Sequence, residues 1–171
     1  MTAQTEELAI QRFRESDLEE VCELVRATVD TSYAAVYPPR VVEFFYQYHE
    51  RAIIVSDADG GYTIVVRSGE QLVATGTRIG TNVRRVFVRS DWQRRGIGQA
   101  VMAELEAEAI KAGVARLDLS ASLPAKDFYL RLGYEVTSEE DYEVAPGQHL
   151  EYYQMAKDLK REGPIQVDMC D

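Results

Sequence analysis

Between Gln93 and Gly98 the chain reads Gln-Arg-Arg-Gly-Ile-Gly, directly behind the apolar run Val86-Phe-Val88 and directly ahead of a long stretch with helical spacing. A strand that passes through a glycine turn into a helix start aims several unpaired backbone N–H groups at one point, and the helix dipole adds positive potential there. The result is an anion cradle. Its glycines matter because a Cβ would keep a phosphate away from the backbone, and Arg94 and Arg95 stand at its rim. Charge supports the same reading: Arg84, Arg85, Arg89, Arg94 and Arg95 against the single acid Asp91 make this segment +4 in a chain of net charge −10, leaving −14 on the remainder. A solvated arginine face is the bland alternative. Further along, Tyr129 follows Phe128. A phenol with an apolar body and a free hydroxyl can act as a general acid, or it can simply pack against its neighbour. Ser122 either touches a ligand or caps the helix it precedes.

Two familiar glycine-loop chemistries do not fit. A dinucleotide fold wants G-x-G-x-x-G/A inside a βαβ unit, whereas Val101 stands three residues after Gly98 and the preceding runs read as antiparallel. A phosphate P-loop needs G-K-[ST], which is absent.

The elements that must hold these residues are legible from periodicity. Leu8 to Phe13 reads as a first strand. Ser16-Asp-Leu-Glu19 has the form of a capping box ahead of Leu18, Val21, Val25 and Val29, which predicts a helix over 17–29. Pro38-Pro39 starts a second helix to about Tyr48, with Val42, Phe45 and Tyr46 on one face. From Ile53 the pattern becomes β-rich, with runs at Tyr62 to Arg67, Gln71 to Ile79 and Val83 to Val88 predicting three sequential antiparallel strands. Arg84-Arg85 breaks the alternation of the third run and predicts a bulge or an edge there. Ile97, Val101, Leu105, Ala109 and Ala112 mark a long helix closed by Gly113. A strand through Ala115, Leu117 and Leu119, a short helix from Ser122-Leu-Pro124 to Gly133, and two closing strands at Tyr134 to Val136 and Leu150 to Met155 complete the order, with an acidic loop from Ser138 to Gly147. The expectation is one α+β domain over 1–159 with a mixed, largely antiparallel sheet flanked by helices, and a frayed tail over 160–171.

Composition bounds the function. With 171 residues and 46% apolar content, the chain can bury one substantial core. It has no apolar run near the ~20 residues of a membrane span and no signal-peptide pattern at its start, so the expectation is a cytoplasmic protein with no membrane partner. Net negative charge argues against nucleic acid. Cys22 and Cys170 have neither metal-ligand nor disulfide spacing.

Gln93-x-x-Gly96-x-Gly98 between a β-rich run and a long helix, followed by Phe128-Tyr-Leu-Arg-Leu-Gly-Tyr134, resembles the two markers of the GNAT superfamily of N-acetyltransferases, in that family's order. The resemblance covers Leu8 to Leu159. It implies a GNAT-like sheet splayed beside a pyrophosphate loop, and transfer of an acetyl group from acetyl-CoA, a cosubstrate, to a primary amine by direct attack, without a metal. It implies that Gln93 and the N–H groups of Arg94, Arg95, Gly96, Ile97 and Gly98 form the pyrophosphate loop, that Phe87 and Val88 pair with the pantetheine arm, that Ser120 or Ser122 touches CoA, and that Tyr129 protonates the departing thiolate. Tyr33 and Tyr37 fall where relatives shape the acceptor pocket, a core role being equally open. The chain departs from the pattern in having no acid from Asn82 to Val88, where relatives often carry a glutamate. His49, His149, Glu151 and Asp118 are conceivable bases, and none is assigned. That absence sustains a second expectation, a non-catalytic acyl-CoA sensor or regulatory protein on the same scaffold; a nicotinamide-dependent oxidoreductase is the third. The acceptor is expected to be a small-molecule or peptide amine, a cation in bulk solution drawn by the acids Glu139, Glu140, Asp141, Glu143 and Glu151. Oligomeric state is not legible.

Overall fold

A computed structural model describes residues 7–160. Apart from Lys160, the expected tail lies outside the described residues. Seven strands form one sheet in the order β1-β2-β3-β4-β5-β7-β6: β1 (Leu8–Arg12), β2 (Tyr62–Ser68), β3 (Gln71–Ile79), β4 (Asn82–Val88), β5 (Arg116–Ser122), β6 (Glu135–Ala145) and β7 (Gln148–Asp158). Every neighbouring pair is antiparallel except β4 with β5. The helices are α1 (Leu18–Thr28), α2 (Pro39–Tyr48), α3 (Arg51–Gly60), α4 (Ile97–Lys111) and α5 (Lys126–Arg131).

Period-two alternation splits the core between the two sheet faces. Ile64 and Val66 of β2 join Ile97, Val101, Met102 and Leu105 of α4 on one face. Val65, between them, joins Leu24 and Val25 of α1 and Ile54 of α3 on the other, together with Phe87 of β4. Close approach of α4 to β3 depends on Gly76, where a Cβ would stand 2.5 Å from Val101 Cγ1.

Three expectations are corrected. The apolar run Ala52-Ile-Ile-Val55 is not β-rich but forms α3, because Ile54 packs against α1 and Asp57 reaches an arginine of β4. Ser16 does not cap α1; Asp17 accepts the Arg14 N–H at 2.8 Å one turn earlier and also pairs with Arg67 at 2.7 Å. The acidic segment from Ser138 is not a loop, since it pairs with β7 from Glu135↔Ala156 to Ala145↔Gln148. It is an edge strand, and charges along an edge blunt its tendency to pair with another chain.

Candidate active site

The sheet opens between β4 and β5. Their parallel pairing is confined to Asn82↔Asp118 and Val83↔Leu119, where Asp118 is held by Thr81 Oγ1 at 2.7 Å and Asn82 Nδ2 at 2.9 Å. Asp118 is thus a structural clasp. Beyond it the strands part, because β5 stays registered on β7 as far as Ser122↔Tyr152 while β4 follows β3. The predicted bulge lies at this point: the β3–β4 register jumps from Thr75↔Phe87 to Thr77↔Arg84, and Arg85 takes φ +56°. A bulge bends its strand and re-aims its side chains. The edge of β4 facing the gap is left without a strand partner from Arg84 to Val88 among the described residues, so its N–H and C=O groups are open to an extended ligand.

On one side of the splay lies a cavity of about 560 Å³. Its wall includes Phe87 and Val88 of β4, Gln93, Arg94, Gly96, Ile97 and Gly98 of the loop, and Phe128 of α5. Arg94 and Gly96 have φ +61° and +79°, either side of Arg95, a left-handed alternation that turns successive N–H groups into a concave anion site. Gln93 Nε2 donates to Val88 O at 3.1 Å and ties the loop to the strand end. The two glycines serve different ends. Gly96 has open space around its missing Cβ but a φ that disfavours other residues, whereas a Cβ at Gly98 would stand 3.1 Å from the Phe128 ring. Arg95 is not on the wall; its guanidinium lies 4.6 Å from the centre of the Trp92 ring and braces the loop.

On the other side is a second cavity of about 270 Å³, walled by α2, β4, the β5 end and the β6–β7 hairpin. Phe44, Phe45, Tyr48, Tyr142 and Tyr152 line it, together with His49, Arg84 and Arg85. The five-arginine segment therefore does not act as one patch. Arg84 and Arg85 face this cavity, Arg89 pairs with Asp91 at 3.2 Å, and of the loop's two arginines Arg94 alone lines the other cavity. Arg85 is buried, donating through Nη2 to Asp57 at 2.8 Å and through Nε to His49 Nδ1 at 3.3 Å. Arg84 Nη1 lies 3.6 Å from the same carboxylate. Burial, then Arg85, then Arg84 lower the His49 pKa to about 3, so the imidazole is neutral and a poor proton acceptor.

The cavities share a wall of Tyr33, Val86, Phe87, Ser122, Ala125 and Tyr129. Tyr129 is buried, with its ring edge-on to Phe128 at 5.0 Å, and burial pushes its phenol well above the usual range. Ser122 does not cap the turn it precedes; its buried Oγ has no hydrogen-bond partner and faces the Tyr33 phenol, tempering the upward shift that burial imposes there. Tyr37 is structural: its hydroxyl donates to Glu151 O at 2.8 Å and accepts from Leu123 N at 2.9 Å, and its pKa is pushed up to about 12, chiefly by burial. His149 pairs with Asp141 at 2.6 Å on the exposed hairpin, and neither it nor Glu151 lines a cavity. Among the described residues neither wall holds a carboxylate. Periodicity had no means of bringing Phe44, Tyr48 and Tyr142 together; the one local signal for this side was the broken alternation at Arg84-Arg85.

Comparison with known proteins agrees with this geometry. The family profile described as "Acetyltransferase (GNAT) domain" matches residues 29–159. A GCN5-related N-acetyltransferase from Rhodopseudomonas palustris is similar over 88% of this chain and 95% of its own, with 20% identity and a TM-score of 0.79. The PaiA N-acetyltransferase of Thermoplasma acidophilum, solved in complex with coenzyme A, matches 89% of this chain and 99% of its own at 17% identity and TM-score 0.71. The ribosomal-protein-S18-alanine N-acetyltransferase of Escherichia coli matches 93% and 98%, at 17% identity and TM-score 0.71. No curated protein sequence gives a significant match. No described helix is long and apolar enough to cross a membrane.

Proposed function

The chain belongs to the GNAT acetyltransferase family, and from that premise we propose that it moves an acetyl group from acetyl-CoA to a primary amine, both substrates being bound at once. The single observation that carries this reading is the meeting of two cavities at Tyr129, one floored by an anion-binding turn and an unpaired strand edge, the other lined by side chains. The pyrophosphate sits on the N–H groups from Arg94 to Gly98, at the N-terminus of α4. The pantetheine arm extends along Val86 to Val88 as an added strand. The thioester then lies at the shared wall, and the amine reaches it from the second cavity.

The amine nitrogen attacks the thioester carbonyl carbon, the C–S bond breaks, and the acetyl group ends on nitrogen. A proton leaves nitrogen as one arrives at sulfur, so the exchange is balanced. A backbone N–H of β4 near Phe87 polarises the carbonyl oxygen as charge develops. Tyr129, held protonated by its buried surroundings, donates to sulfur and takes a proton back from solvent, which received the amine proton, so the phenol is restored for the next turnover. No base is required at the cavity wall. Arg84 and Arg85, which help keep His49 neutral, likewise disfavour the ammonium form of an incoming amine, and its proton departs to water. Cys22 lines neither cavity, so an acyl-enzyme on that thiol is disfavoured.

The lack of a carboxylate on either wall also favours a second reading, a protein that binds acyl-CoA without turnover. A screen of purified protein with acetyl-CoA and a broad amine panel, following free thiol, tests both. Amine-dependent thiol release supports the transferase. Tight CoA binding by calorimetry with no release for any amine supports the sensor, and no CoA binding overturns both.

A further inference from the structure

The charge on the wall of the second cavity is positive, and part of it has no partner. Arg84 and Arg85 share one carboxylate, that of Asp57 behind the wall, which leaves one net positive charge, and among the described residues no acid lines the cavity. Arg85 is only 1% exposed at its side chain, yet its Nη1 has no hydrogen-bond partner. An unsatisfied guanidinium donor in a cavity wall is costly unless a ligand completes it. Arg84 is the accessible member of the pair, its side chain 29% exposed, and its planar fork suits a carboxylate. The opposite rim is aromatic. Tyr48 and Tyr142 are 40% and 60% exposed although they belong to this cavity, so an apolar surface is waiting to be covered.

Building on the transferase reading above, we propose that the acceptor is a small amino acid-like molecule, in which the amine to be acetylated is joined to a carboxylate and an apolar or aromatic side chain. The carboxylate lies against Arg84 and the unpartnered edge of Arg85, the side chain packs among Phe44, Tyr48 and Tyr142, and the amine points to Tyr129. Size agrees. At about 270 Å³ the cavity is slightly below the ~300–1,000 Å³ usual for drug-sized ligands. A polyamine or other dication fits poorly, because a second positive charge would be brought against two guanidiniums with one counter-charge. The acids Glu139, Glu140, Asp141 and Glu143 do not line the cavity; they act on the approach of the substrate and not on its bound pose.

The test compares matched acceptors. Phenylalanine and 2-phenylethylamine differ by the carboxylate, 1,4-diaminobutane carries a second ammonium where 5-aminopentanoate carries a carboxylate, and a short C-terminally amidated peptide with a free N-terminal phenylalanine removes the charge while keeping the side chain. Steady-state thiol release with the wild-type protein should give phenylalanine, or another apolar amino acid in the panel, a kcat/KM roughly tenfold to a hundredfold above its carboxylate-free partner, the range expected for a charge-assisted hydrogen bond. Arg84→Gln should lower kcat/KM for the amino acid by that factor beyond whatever it costs 2-phenylethylamine, which loses only the charge that disfavours its ammonium form. A carboxylate-free amine, the diamine or the amidated peptide turning over as well as its carboxylate-bearing counterpart overturns the proposal while leaving the transferase reading standing. So does an Arg84→Gln variant that weakens both members of the pair alike. No thiol release with any amine removes the transferase reading itself.

Discussion

The two cavities that meet at Tyr129 are built of different materials. The side proposed to hold the cofactor is largely backbone: a strand edge, a left-handed turn and the first N–H groups of α4. The acceptor side is side chains drawn from α2, β4, β5 and the β6–β7 hairpin, with a buried Arg85–Asp57 pair behind them. A backbone site recognises what every acyl-CoA has in common and tolerates wide changes of side chain, whereas a side-chain site changes its ligand with a handful of residues. On the proposed reading, that division lets a chain that is 17% identical to the S18-alanine and PaiA acetyltransferases and similar to them in fold have an acceptor of its own.

The largest expected effect is at the shared wall. Tyr129→Phe should reduce kcat by ~10²- to 10⁴-fold with little change in KM for either substrate, because the hydroxyl acts on a leaving group that becomes basic only during reaction. Rapid-quench and steady-state rates check it; near wild-type kcat with chemistry rate-limiting returns Tyr129 to a packing role. Next is Gly98→Asp, which sets a carboxylate against the pyrophosphate position. Its Cβ needs the Phe128 ring to move by a few tenths of an ångström, and an acid in the first turn of α4 suits the helix dipole, so the fold should survive. Acetyl-CoA affinity by calorimetry should fall by about a hundredfold or more, equivalent to about 3 kcal/mol. Unchanged affinity in a folded variant would sink the backbone-site description.

Tyr142→Ala should separate the two sides most clearly. It should raise KM for the acceptor about tenfold, consistent with the loss of an aromatic surface that the bound acceptor covers, worth ~1.5 kcal/mol, and leave CoA affinity untouched. A parallel loss of CoA affinity would show that the cavities are not separable. The acceptor wall should also be the acid-sensitive one. His49 is depressed to about 3 from 6.5, so its neutral burial contributes stability that is fully present above pH ~6.5 and declines as pH falls towards 3, by at most ~1.4 kcal/mol per pH unit. Urea midpoints between pH 7 and 4.5 should fall less steeply in His49→Gln than in wild type, and equal slopes would remove His49 from the account. Smallest is the hairpin. Reversing Glu139, Glu140 and Asp141 to lysine should flatten any fall of kcat/KM for an ammonium-bearing acceptor with rising salt, by a few-fold at most, since exposed charges steer encounter and are screened. An unchanged salt response assigns these acids to solubility and edge protection alone.

The contrast between the cavities also governs what could be read before the fold was known. Gly96, Gly98 and the strand–turn–helix order around them are local: a left-handed φ or a helix start is a property of neighbouring residues, so spacing reveals it. The bulge was equally local, since Arg84-Arg85 interrupts a period of two within a single strand. By contrast, Ala52-Ile-Ile-Val55 has β-branched residues that suit either a strand or a buried helix turn. Only the contacts of Ile54 with α1 and of Asp57 with Arg85 decide for α3. The acids of β6 suggest solvent, and they are in solvent, but pairing with β7 is a non-local event that charge pattern does not encode. Above all, the split of five neighbouring arginines, with Arg84 and Arg85 on one cavity, Arg94 on the other and Arg89 and Arg95 on neither, depends on the direction in which a twisted, bulged strand points each side chain and on what α2, α3 and the hairpin bring opposite it. Sequence by itself determined the order of the strands along the chain, the glycine turn between strand and helix, and the family; tertiary packing alone decided what lines the second cavity, because that wall is assembled from segments more than a hundred positions apart, whose side chains meet only after the sheet has opened between β4 and β5.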